Sequence, residues 1–202
     1  MRDHYWQSLL IGSDGYTPWL RDEGSLTRRI QQRCDVFTVR PLRSGLARVA
    51  YDEAALLGFA HDRYAFSREV FLYADGKPVV FAHSTCAHGH LRGAWQAMSG
   101  LGNRSLGTLL FTHPLVERQP LHYKVLHSHH PLYRSAAVVL GDAPGRLWAR
   151  RSLFYLHAAP LLVTEVFLPE ILKLGLSESR GTRLNSPFLE PPAQSSILAP
   201  QS

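Results

Sequence analysis

Two charged residues stand inside segments that otherwise read as buried β-strands. In "PLLVTEVFLP" (160–169), Glu165 shares a pleat face with Leu161, Val163 and Phe167. The other face carries Leu162, Thr164, Val166 and Leu168. In "FSREVFLY" (66–73), Arg68 lies on the face of Phe66, Val70 and Leu72. Burying a lone charge is expensive unless it is paired or hydrogen-bonded. A guanidinium in a dry site suits a bidentate grip on a carboxylate. A buried glutamate can accept a hydrogen bond from a hydroxyl, or act as a general base once burial raises its pKa. A structural reading stands beside this one. Glu165 can pair with an arginine of its own hairpin, and Arg68 can reach out to the sheet edge. A turn at "HAAP" (157–160) would set Glu165 near Ser152 with Arg150 diagonal to it; a slip of one residue would make Arg151 the diagonal neighbour.

Other clusters carry less. "CAHGH" (Cys86, His88, His90) and "HSHH" (His127, His129, His130) hold zinc-binding residue types, but with single-residue gaps rather than paired C-x₂₋₄-C or H-x₃₋₅-H spacing. Both are read as surface or loop histidines, with no metal. "GLGNRSLG" (100–107) lacks G-x-G-x-x-G, lacks a phosphate-loop lysine and does not follow a βαβ pattern. No nucleophile elbow or Cys–His pair stands out. Any chemistry here is expected to run on bare side chains without a cofactor.

Composition narrows the class. At 202 residues, the chain is long enough for one domain with a sizeable core. Its net charge is +6, but the arginines are scattered and no basic run exceeds two residues, which disfavours nucleic-acid binding. A basic balance also steers small anions toward a site. Two cysteines are too few for a disulfide scaffold. The N-terminal apolar run, Leu9–Ile11, is too short for a signal peptide, and no stretch is long enough for a membrane span. The expectation is a cytoplasmic protein.

The elements that must hold the two charges can be traced along the chain. Residues 1–15 read as a loosely held lead. "TPWL" and "GSLTRRIQQRC" are predicted helical, with Ser25 as N-cap. "DVFTVRPLRSGLARV" is predicted extended, interrupted by Pro41 and Gly45. "YDEAALLGF" reads as a short helix or loop. Asp75-Gly76 between two β-rich runs predicts a tight hairpin. "LRGAWQAMS" reads as a short helix, and "LGNRSLGTLLFTHP" as a loop leading into an apolar run. "LHYKVLHSHHPLY" is predicted extended. "GRLWARRSLFYL" and "PLLVTEVFL" form a second hairpin. Residues 173–202, rich in Ser, Pro and Gln, read as a disordered tail. The class is α+β, with a single antiparallel sheet and helices packed around it.

Five stretches, "GSLTRRI", "REVFLYADGKPVVFA", "LGNRSLGTLLFT", "LWARRS" and "PLLVTEVFLP", occur in the order and rough spacing of bacterial chorismate lyase, also called chorismate–pyruvate lyase. The resemblance covers about residues 18–170, and residues 16–172 are taken as the catalytic domain. It implies a monomeric, metal-free and cofactor-free oxo-acid lyase that converts chorismate to 4-hydroxybenzoate and pyruvate on the way to the ubiquinone head group. It implies an internal ligand cavity under flap-like segments. The family's ligand-contacting arginine falls on Arg68 and its glutamate on Glu165; two further contact positions fall on Leu26 and Leu106. Arg68 and Glu165 are thus the expected catalytic pair. The stretch from His113 to Gly145, with the histidine-rich segment 122–130, is longer than in compact relatives, and the tail has no counterpart. The competing expectation is a non-catalytic, effector-sensing module of the same fold. Against it, only about fifteen residues precede the first helix, too few for the DNA-binding domain such regulators carry.

Overall fold

The computed structural model describes residues 6–13, 15–58 and 63–175. Seven strands build one antiparallel sheet: β1 (Phe37–Arg48), β2 (Tyr64–Ala74), β3 (Lys77–Cys86), β4 (Glu117–Arg118), β5 (His122–His127), β6 (Arg146–Leu156) and β7 (Ala159–Phe167). Their order is β1-β2-β3-β7-β6-β4, with β5 also paired to β6. Five short helices decorate it: α1 (Thr17–Leu20), α2 (Leu26–Gln31), α3 (Tyr51–Ala54), α4 (Leu106–Thr112) and α5 (Pro131–Ala137). The predicted α+β class with a single antiparallel sheet is what the structure shows.

Local chemistry explains the hairpins. Ala74 pairs with Lys77, so Asp75 and Gly76 alone make the β2–β3 turn, both at positive φ (48° and 77°). That is the twist-matched two-residue turn for which Asp-Gly is suited. The Asp75 carboxylate also accepts from the backbone N–H groups of Asp35 and Val36, fixing where β1 begins. The second hairpin is tighter than "HAAP" suggested. Leu156 pairs with Ala159, leaving only His157 and Ala158 in the turn, at φ 50° and 61°. The register therefore sets Arg150 directly opposite Glu165.

Other expectations shift in detail. β1 is one strand that continues through Pro41, with an irregularity in register between Pro41 and Arg43. The apolar run after "GLGNRS" is helix α4. "HSHHPLY" ends β5 and starts α5, where the His130 ring accepts from the Leu132 N–H as an N-cap. "LRGAWQAMS" splits over two 3₁₀ turns, His88–Arg92 and Gln96–Gly100. In the expected N-terminal lead, Gln7 pairs with Tyr123 and the Trp6 indole donates to Asp52. Of the expected tail, residues 176–202 lie outside the described residues.

The central strands are covered on both faces, which is why neither face of "LLVTEVFL" alternates with polar residues. One face carries Phe71, Phe81, Ala149 and Val166 against α5. The other carries two apolar clusters. One gathers Val70, Leu72, Trp148 and Phe167 with Trp19, Leu20 and Ile30. The second gathers Phe66, Phe154 and Leu161 with Trp95, Met98 and Leu110.

On the α5 face a polar triad ties α3 to the sheet. His83 Nε2 lies 3.2 Å from Glu53 and its Nδ1 3.3 Å from Glu69. Burial alone would push the imidazole pKa down, but the two carboxylates override it and raise it from 6.5 to about 10. A histidine pKa raised on folding stabilises the protein fully below its unfolded value and loses that contribution as pH climbs through the folded one. Unfolding stability, followed by chemical denaturation, is therefore expected to decline between pH 6.5 and about 10, and His83→Gln is expected to flatten that slope relative to the parent chain. An unchanged slope in the variant would remove His83 as its source.

Candidate functional site

The sheet face shared by Arg68 and Glu165 is ordered into rows by the strand register. Arg68, Ser84, Val163 and Ser152 stand abreast across β2, β3, β7 and β6. The adjacent row is Val70, Ala82, Glu165 and Arg150. Arg68 and Glu165 are thus two strands and one row apart, roughly 12 Å between backbones from standard strand spacings. Both side chains line the space above that face. The two apolar clusters of this face part between them, and the gap is a small cavity of about 40 Å³.

The roof is made by α2 and α4, which begin the same way. Ser25 caps α2 by accepting from Arg28 N–H, and Ser105 caps α4 by accepting from Gly107 N–H. Each cap is followed at once by a leucine, Leu26 or Leu106, that is buried and lines the cavity. The helices meet where Thr27 Oγ1 and Ser105 Oγ lie 2.5 Å apart. A Cβ on Gly107 would come within 2.8 Å of Thr27 Oγ1, so only glycine permits this approach. All four residues expected from sequence, Leu26, Arg68, Leu106 and Glu165, therefore line one cavity.

Three guanidiniums also line it, and each holds the roof by main-chain carbonyls. Arg68 is 3% exposed and does not reach the sheet edge; its Nη2 donates to Gly102 O and Arg104 O, both at 2.9 Å. Arg118, on β4, donates from Nη1 to Glu23 O at 2.6 Å and lies over the Phe111 and Phe154 rings. Arg150 is 1% exposed; its Nη1 donates to Trp19 O, Leu20 O and Asp22 O, and its Nε donates to Glu165 Oε2 at 2.6 Å. Burial holds the Arg68 and Arg118 pKa values below the ordinary arginine value. Both still carry charge, because that ordinary value is so high.

Of the two sequence readings of Glu165, the structural pairing with an arginine of its own hairpin is present, and the side chain also stands at the cavity. Oε2 is taken by Arg150, while Oε1 makes no hydrogen bond among the described residues. Arg150 was foreseen only as a diagonal neighbour, because the turn was read two residues too long. Arg118 was not foreseen: it sits on a two-residue strand with no pattern to read. Ser84 and Ser152 also line the cavity, on the parity of Arg68. The Ser152 hydroxyl is occupied by Gln119 O.

The other sequence clusters take structural places. Cys86 is buried, and burial pushes its thiol pKa up to about 12, so it is a poor nucleophile. His127 stacks on His129 away from the cavity. Among the described residues, no group of three His, Cys, Asp or Glu side chains is spaced to hold a metal, and no helix is long and apolar enough to cross a membrane.

Known proteins resemble the chain in fold and sequence. Among solved structures, the ligand-binding domain of a GntR-family transcriptional regulator from Bordetella bronchiseptica aligns with a TM-score of 0.50 at 17% identity, over 67% of this chain and 86% of that domain. The C-terminal domain of PhnF aligns with a TM-score of 0.52 at 13% identity, over 66% and 84%. At such identities the likeness concerns fold alone. A probable chorismate pyruvate-lyase of Nitrosospira multiformis is 55% identical over 157 residues, 77% of this chain and 87% of that protein. One of Methylobacillus flagellatus is 43% identical over 176 residues, 87% and 98% of the two chains. The family model described as chorismate lyase matches residues 7–174, a span that contains the whole sheet, the roof and every cavity-lining residue named above, and the chain belongs to that family.

Proposed function

We propose that this protein eliminates pyruvate from chorismate to give 4-hydroxybenzoate, supplying the ubiquinone head group. The observation that supports this most is one cavity presenting Arg68 at one end and the free Oε1 of Glu165 at the other, from two separate hairpins. Chorismate carries a ring carboxylate at C1 and a hydroxyl at C4, para to each other. Arg68 receives the carboxylate and Glu165 accepts the hydroxyl hydrogen bond, which fixes the ring along its long axis. Leu26 and Leu106 bound the ring faces.

The reaction breaks the C3–O bond and the C4–H bond. The electron pair of C4–H enters the ring as it becomes aromatic, and the enolpyruvyl oxygen leaves with the C3–O pair. The proton lost from the ring is balanced by one gained as enolpyruvate becomes pyruvate. Aromatisation supplies the driving force, so the chain's own task is to bind, orient and exclude water. Release of a ring held at both ends under a closed roof is the slow step of this scheme.

The test is incubation of purified protein with chorismate, following pyruvate and the aromatic product. Glu165→Gln is expected to remain folded and to lose most turnover, by roughly 100-fold or more for a lost charge-assisted contact in a dry site. Tight binding of 4-hydroxybenzoate without any turnover by the parent chain would point instead to an effector-sensing module. Unchanged turnover in the variant would leave Glu165 only its structural pairing with Arg150.

A further inference from the structure

The cavity holds more positive charge than one ring carboxylate requires. Of its three guanidiniums, Arg150 is neutralised by Glu165 at 2.6 Å. Arg68 and Arg118 form no ion pair among the described residues; their hydrogen bonds go only to main-chain carbonyls. Arg118 Nε is buried and makes no hydrogen bond, although it lines the cavity. Two guanidiniums without a direct ion-pair partner, lining one cavity, fit a dianion.

Their placement is specific. Arg118 lies on β4, beyond β6, so it and Arg68 on β2 stand at opposite lateral ends of the cavity floor. Glu165 on β7 lies between them, and its carboxylate attracts the Arg118 guanidinium electrostatically. Chorismate bears its enolpyruvyl ether at C3, beside the C4 hydroxyl and away from the C1 carboxylate. With the ring set between Arg68 and Glu165, the ether's carboxylate projects from the Glu165 end. Phe111 and Phe154, whose rings lie 5.5 Å and 5.4 Å from the Arg118 guanidinium carbon, border the guanidinium there.

We propose that Arg118 binds the enolpyruvyl carboxylate and so makes the site selective for the dianionic substrate over its monoanionic product. This rests on the lyase reading for the substrate's identity, but it makes a binding claim that can be tested without turnover. Arg118 would hold the leaving group in line while Arg68 and Glu165 hold the ring. Once pyruvate departs, only the Arg68 and Glu165 contacts remain to the aromatic product.

The test compares the parent chain with Arg118→Gln and Arg118→Lys. Affinities are measured by calorimetry for 4-hydroxybenzoate and for 3-(carboxymethoxy)-4-hydroxybenzoate, a stable aromatic with a second carboxylate on an ether at C3. Chorismate turnover is measured alongside. Arg118→Gln is expected to weaken the dicarboxylate roughly 10- to 150-fold, the range for a lost charge-assisted hydrogen bond, and 4-hydroxybenzoate by less than about threefold. The kcat/KM for chorismate should fall with the dicarboxylate affinity, and Arg118→Lys should recover part of both. Equal weakening of the two ligands, or of neither, overturns the proposal. If the parent chain does not turn chorismate over yet shows the Arg118-dependent preference, the lyase reading fails and the dicarboxylate site stands. If it turns chorismate over with no such preference, the reverse holds.

Discussion

Arg68→Ala is expected to abolish measurable binding of 4-hydroxybenzoate and to reduce chorismate turnover by roughly 10² to 10³-fold. The magnitude follows from truncating one partner of a buried, charge-assisted pair, which costs about 2–5 kcal/mol, most of it from leaving the other charge without a counterpart. The side chain is almost fully buried and its Nη2 is already spent on Gly102 O and Arg104 O. Nε and Nη1 make no hydrogen bond among the described residues and remain for a ligand. Titration by intrinsic fluorescence, with thermal denaturation to monitor folding, checks the point. Near-parental affinity in a folded Arg68→Ala protein would eliminate the arginine as the carboxylate's anchor. Arg68→Lys is expected to recover little, because an ammonium cannot bridge two roof carbonyls and a carboxylate in one plane.

The second large effect concerns stability. Arg150→Met is expected to destabilise the fold by about 3–5 kcal/mol, the usual consequence of removing one member of a buried ion pair. The loss is compound. Glu165 would stay beneath the roof without its partner, and Trp19 O, Leu20 O and Asp22 O would all lose their donor. Adding Glu165→Gln to Arg150→Met should return part of the lost stability, since no lone carboxylate then remains. Denaturant unfolding of the two single variants and the double variant reads this directly. Strict additivity would mean that the 2.6 Å contact carries no coupling.

Sequence parity carried the recognition of this site further than any motif. The faces of "FSREVFLY" and "PLLVTEVFLP" singled out Arg68 and Glu165, and the register places both on one cavity. What parity could not supply was the lateral partner of Glu165. His157-Ala158 carries none of the glycine or asparagine that announces a two-residue turn, so the loop was read as four residues and Ser152 was set where Arg150 stands. Helix α4 was read as an apolar run because Gly107 interrupts its helical pattern. That glycine is there for the close approach to Thr27, a tertiary reason invisible along the chain. Ser25 was read as a cap, whereas Ser105, which caps α4 in the same way, was not. Arg118 lay beyond reach, because its pairing with Phe154 joins segments 36 residues apart through a strand only two residues long.

The carbonyl contacts of the three arginines have a kinetic consequence. Arg68 fastens the loop ahead of α4, Arg118 fastens Glu23, and Arg150 fastens residues 19 to 22, so the lid is clamped at its perimeter by the cations that line the cavity. In the proposed scheme a guest takes the N–H groups of these cations that the peptide oxygens leave open, so guest and lid are held by the same side chains. Opening of the lid then requires a guanidinium to let go of peptide oxygen, and residence time is governed by how readily that clamp loosens as well as by how tightly the guest is held.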